Sequence, residues 1–181
     1  MSLVREVSLL SIDGSWRLVQ QAAGDFTPHD QQRPAFSLSG VEITDGQHVL
    51  EGASGTVQRF ELTIEPGTAE EFGIVVRGDG SQGTRIGVRP AEGTIFVDRR
   101  ESGQTNFHES FASIETAPIL TADGSYEIEV YVDHCSVEVF AQGGQVTLTD
   151  LIFPAATSTA VSVYAIGGTA RLNDLTVTQY A

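Results

Sequence analysis

Glu127 and Glu129 stand two residues apart in the segment Tyr126–Val132. In an extended backbone both carboxylates fall on one face, about 7 Å apart. That spacing suits an acid–base pair that cleaves a sugar linkage with inversion. The same alternation has a simpler source. Ile128, Val130 and Val132 occupy the opposite face, so the two glutamates are also what the wet side of a half-buried strand contains. The solvated face is the stronger reading, because alternation alone produces such pairs often.

Other reactive side chains are scattered. His29, His48, His108 and His134 lack paired metal-ligand spacing. The Asp-Gly-Ser turns at Asp13, Asp79 and Asp123 lack the dense carboxylates of a calcium loop. No metal and no cofactor is implied. Cys135 is the only cysteine. Its neighbour His134 would tend to point elsewhere on a strand, so Cys135 reads as a small, partly buried residue. Asp133 heads a turn in which its side chain can accept backbone N–H groups. Glu138 points away from the face of Val137 and Val139, as an exposed strand charge or as an arginine partner at a domain interface. Trp16 is the sole tryptophan. With the tyrosines it could offer rings to a sugar, although core packing is the plainer use of most aromatics.

The elements that position these residues are strands. Period-two alternation recurs at Phe60, Leu62 and Ile64, at Val146 and Leu148, and at Val161, Val163 and Ala165; Leu172, Leu175 and Val177 close the chain. Gly143-Gly144 and Gly167-Gly168 mark tight hairpins. Ala22–Arg33 and Glu101–Phe111 read as loops, and no stretch has helical spacing with caps. About a dozen short strands with regular turns predict an all-β fold, two packed antiparallel sheets or a barrel. Periodicity alone does not separate them, and the two-sheet antiparallel sandwich of jelly-roll or concanavalin-like form is the favoured one. At 181 residues the chain fits one domain with a sizeable core. Met1-Ser2-Leu3 is read as an added leader and set aside in reading the fold, and residues 4–181 are read as the module. The net charge is −14, and every basic residue is arginine. Such a surface repels phosphate backbones and anionic lipid, which argues against nucleic-acid and membrane partners. No apolar run approaches a membrane span.

The segment Tyr131-Val132-Asp133-His134-Cys135-Ser136-Val137-Glu138-Val139-Phe140, followed by Gly143-Gly144, Val146–Thr149 and Ile152-Phe153-Pro154, resembles the C-terminal β-sandwich of glycoside hydrolase family 32. That family includes levanases, inulinases and invertases. Phe72-Gly73-Ile74 to Arg77, Thr84–Val88, and Thr94–Arg99 with Ser102-Gly103 are similar to its preceding strands, and Trp16–Gln20 to its opening strand. His134 and Cys135 depart from the family's Arg and Ser, so any contact made by that arginine is altered here.

The resemblance implies an all-β accessory module. Its partner would be an N-terminal five-bladed propeller of the same parent chain, which would carry the chemistry in Asn-Asp-Pro-Asn-type, Arg-Asp-Pro and Glu-Cys segments. None of these occurs here, so no catalytic residue is expected in this chain. Asp98, Arg99, Asp133, Glu138 and Trp16 are the candidate binding or interface residues. The parent would cleave β-fructofuranosidic bonds in levan, inulin or sucrose, outside the cell if its substrates are polymers. Two alternatives remain open: a fructan-binding module, and an independent sandwich glycosidase that uses Glu127 and Glu129.

Overall fold

A computed structural model describes residues 2–12, 14–24, 35–121 and 123–180. Most of the loop expected at 22–33, and Asp13 of the first Asp-Gly-Ser turn, lie outside these residues. Fourteen strands form among the described residues. They run β1 Arg5–Ile12, β2 Ser15–Ala22, β3 Phe36–Ile43, β4 Gly46–Val49, β5 Gln58–Glu65, β6 Glu71–Gly78 and β7 Thr84–Arg89. A 3-10 turn at Pro90–Glu92 leads to β8 Thr94–Asp98, β9 Ile114–Pro118, β10 Tyr126–Val132, β11 Ser136–Ala141, β12 Val146–Leu151, β13 Ala160–Ile166 and β14 Ala170–Gln179. The first sheet has the order β12-β11-β10-β5-β14-β3, and the second β4-β13-β6-β7-β8-β9. All their strand pairs are antiparallel. β1 and β2 form a separate two-stranded ribbon.

The alternation places the core. Phe60, Leu62 and Ile64 of β5 and Ile128, Val130 and Val132 of β10 point between the layers, where they meet Ile74, Ile86, Val88 and Val163 of the second sheet. The spacing from Leu172 to Leu175 is three rather than two. A register shift in β14 between Leu172 and Asp174 absorbs the extra residue and returns Leu175 and Val177 to the core. The Gly143-Gly144 turn joins β11 to β12, with Gln142, Gly143 and Gly144 all at positive φ.

The second sheet departs from simple alternation. Ser162, Tyr164 and Phe96 lie on its outer face and are nevertheless buried. Tyr164 sits opposite Gly73, Gly73 opposite Gly87, and Gly87 opposite Phe96. A Cβ at Gly87 would collide with the Tyr164 hydroxyl and the Phe96 ring, so the two rings lie across a glycine floor. Arg85 stacks on Tyr164 at 4.7 Å and Arg89 on Phe96 at 4.3 Å. Glu71 closes the layer by accepting from Arg89 (2.8 Å) and from the Tyr164 hydroxyl (3.2 Å).

Candidate functional site

The structure does not bring the candidate residues together: Glu138 lies on the outer face of the first sheet, Asp133 in the β10–β11 turn, Trp16 on the ribbon, and Asp98 and Arg99 at the end of β8 in the second sheet. β11 and β12 present Glu138, Phe140, Thr147 and Thr149 outward, and the base of the β1–β2 ribbon lies over them. Arg5 Nη2 reaches Glu138 Oε2 at 2.7 Å and also contacts Thr149 Oγ1. Its guanidinium lies 5.0 Å from the centre of the Phe140 ring. The Leu3 N–H donates to Glu138 Oε1 at 2.6 Å, and the Gln20 N–H donates to Gly144 O. Glu138 is therefore 3% exposed. It leaves the core face as its spacing required, but it meets an arginine of its own chain rather than solvent. The sequence offered no signal for this pairing, because Arg5 is 133 residues away.

Beyond its base the ribbon is bare. Leu9 pairs with Leu18 and Ser11 with Trp16, so Trp16, Leu18, Leu9 and Val7 share one face. All four are exposed, Trp16 at 74%. Neither ribbon strand joins a six-stranded sheet.

Glu127 and Glu129 do share the outer face of β10. They stand opposite Thr63 and Glu61 of β5. With Gln21 of the ribbon, Asp174 and Thr176 they line a solvent-open groove of about 360 Å³. Arg59 Nε donates to Glu129 Oε1 at 2.6 Å, and the Tyr131 hydroxyl donates to the same oxygen at 2.8 Å. Burial, followed by that bond to Glu129, pushes the Tyr131 hydroxyl well above the usual phenol range. Glu129 is thus engaged in a surface network with Arg59 and Glu61. The aromatic ring of the groove, Phe140, is covered by Arg5.

Asp133 is exposed and heads the β10–β11 turn. Its Oδ1 accepts from the His134 ring at 3.0 Å and from the His134 N–H at 2.6 Å. Cys135, read from sequence as partly buried, is exposed: it sits in that turn rather than in the strand that follows. Beneath the turn lies Arg77, a residue with φ of 54° and 3% exposure. Its guanidinium donates to four backbone carbonyls, those of Ser158 (2.9 Å), Thr56 (3.2 Å), Ala155 (3.3 Å) and Asp133 (3.4 Å). Only the fold reveals that clamp, since its acceptors are main-chain atoms from three separate segments.

Asp98 and Arg99 are adjacent but face different surroundings. Asp98 accepts from Arg100 Nε (2.9 Å) and Nη2 (2.7 Å). Burial alone would raise its carboxyl, but the Arg100 bonds hold it below the ordinary value. Arg99 crosses to the other sheet and meets buried Asp150 of β12 at 3.4 Å, while its Nε donates to Ser113 Oγ. Burial raises the Asp150 carboxyl, opposed by Arg99. Arg99 also stacks on Phe111 at 4.5 Å. Among the described residues no cluster of three or more His, Cys, Asp or Glu could hold a metal ion.

This arrangement, two stacked antiparallel sheets with a ribbon clamped to one of them, defines an all-β sandwich domain. The profile described as "Glycosyl hydrolases family 32 C terminal" matches residues 28–179. The chain belongs to that family and is its C-terminal domain. The levanase of Bacillus subtilis (strain 168) is 32% identical over 97% of this chain, which spans 26% of that protein. The levanase of Bacillus sp. (strain L7) is 35% identical over 98% of this chain and 19% of its own length. The crystal structure of exo-inulinase from Aspergillus awamori superposes with a TM-score of 0.89, at 28% identity, over 98% of this chain and 35% of that one. The chain thus spans about a fifth to a third of these relatives. The family profile begins beyond the ribbon, so Trp16–Gln20, read from the sequence as resembling the family's opening strand, lies outside the match.

Proposed function

We propose that residues 4–181 form a non-catalytic module that packs on, and stabilises, the N-terminal catalytic domain of a levanase-like β-fructofuranosidase. The observation that carries this reading is the ribbon. A lone two-stranded hairpin is marginal in water, and this one turns Val7, Leu9, Trp16 and Leu18 to solvent on one face. Such a patch marks an interaction surface. The relatives are three to five times longer than this chain, which supports a partner supplied by the same polypeptide. A five-bladed propeller in that position, cleaving fructan or sucrose, follows from the family resemblance. Relatives named extracellular exo-inulinases support a secreted parent.

The chain by itself is expected to show no turnover of sucrose, inulin or levan. Sustained hydrolysis would end this reading and return attention to Glu127 and Glu129. The groove that holds them favours weak fructan binding as a second reading, since its carboxylates and threonines suit sugar hydroxyls. Calorimetry with levan and inulin oligomers separates the two: the packing reading expects no heat. Heat that is lost in Glu127→Gln would locate binding in the groove, and heat that is lost in Trp16→Ala would locate it on the ribbon.

A further inference from the structure

We infer that Phe107, Phe153 and Leu151 form a second docking patch for the N-terminal region of the parent protein, separate from the ribbon; this rests on the packing reading above. Phe107, Phe111 and Phe153 form a ring cluster with centroids 4.5 Å, 5.5 Å and 5.4 Å apart. Phe111 is buried at its base. Phe107 is 54% exposed, Phe153 39% and Leu151 47%. Two large exposed rings in contact, with exposed Leu151 two residues before Phe153, are unlike the single exposed residues that any surface carries.

The patch is built rather than incidental. It is carried by the connection between β8 and β9, which lacks strand structure across residues 99–113, and long ordered connections of this kind are usually functional. The connection is stapled to the end of β12. The Phe153 N–H donates to Ser102 O (3.1 Å), and the Gln104 N–H donates to Phe153 O (2.9 Å). Gly103, at φ 98°, lets the two backbones approach, since a Cβ there would strike Phe153 O. Arg99 fixes Phe111 from below through Asp150 and Ser113.

Continuity identifies the occupant. The seam that holds the ribbon runs along the outer face of β12, with Gln20 at Thr147 and Arg5 at Thr149. Leu151 is the next outward residue on that strand, about 7 Å farther on, and Phe153 follows. Leu3 is tied to Glu138, which pairs with Thr149. Polypeptide preceding Leu3 is therefore delivered within reach of the patch.

The test is hydroxyl-radical footprinting of the full-length parent protein against the 181-residue chain, with Phe111 as a slow internal control. Oxidation of Phe107 and Phe153 is expected to fall at least fivefold in the full-length protein. If Trp16 and Leu18 are protected while Phe107 and Phe153 react equally in both, this inference is overturned and the packing reading stands. If none is protected, both fall. If the isolated chain sediments as a dimer and already protects Phe107, the occupant is a second copy and the inference is overturned. Protection that appears only when inulin or levan oligomers are added would make the patch a sugar platform, and would overturn it likewise.

Discussion

Arg5 and Glu138 meet at 2.7 Å across the seam between the ribbon and the first sheet. Glu138 is almost wholly buried, and both of its oxygens are engaged, Oε2 by Arg5 and Oε1 by the Leu3 N–H. The pair fixes the ribbon to a sheet with which it shares no strand ladder. It thereby sets where the exposed face of Trp16 and Leu18 points.

Glu138→Ala leaves the guanidinium over Phe140 without its counter-charge. Removing one partner of a buried pair costs about 3 kcal/mol, which lowers the melting temperature by roughly 6–12 °C for a domain of this size. Thermal unfolding measures the loss, and a double-mutant cycle with Arg5→Ala should return a coupling above about 1 kcal/mol. Additive effects of the two substitutions would remove the pair from the account of how the ribbon is held.

Arg77→Met removes the side-chain donor from four main-chain carbonyls, of which Ala155 O keeps the Ser158 N–H. The expected cost is about 3–5 kcal/mol, read as a fall in the urea midpoint. Arg77→Lys should recover less than half of it, because one ammonium cannot span acceptors arranged around a planar fork. Full recovery by lysine would show that charge, rather than geometry, is what the site needs.

The Asp133 carboxyl is held below its ordinary 3.8, first by the His134 side chain and then by the His134 N–H. Its value in the folded state lies below that of the unfolded chain. Its contribution to stability is therefore complete above about pH 4 and is lost as pH falls through the lower, folded value. Asp133→Asn should destabilise the domain at pH 6 and matter less at pH 3. Denaturant midpoints at the two pH values measure the difference, and an equal loss at both would exclude the carboxylate as its source.

The strands and their facing were legible because β-structure writes itself with period two. Ile128, Val130 and Val132 alternate with Glu127 and Glu129, and burial follows that alternation. The hairpin at Gly143-Gly144 was legible because its backbone angles favour glycine. The segment around Asp133–Phe140 carried the family, since its residues combine a turn former with a core strand in fixed order.

What only the tertiary structure decided is what lies over the outward residues. A strand pattern states which face a side chain takes, not what covers that face. Hence Glu138 reads as outward and proves buried beneath Arg5. Tyr164 and Phe96 alternate as outer residues and prove buried across Gly73 and Gly87 under stacked arginines. Phe107, in the loop read at Glu101–Phe111, and Phe153 prove exposed together, a pairing that no strand pattern states. The residues themselves determined an all-β fold, because periodicity and turn chemistry are local, and the motif at Tyr131–Phe140 carried the resemblance to the family. The seams, clamps and patches depend on contacts between segments up to 135 residues apart, and no local rule encodes which of them will meet.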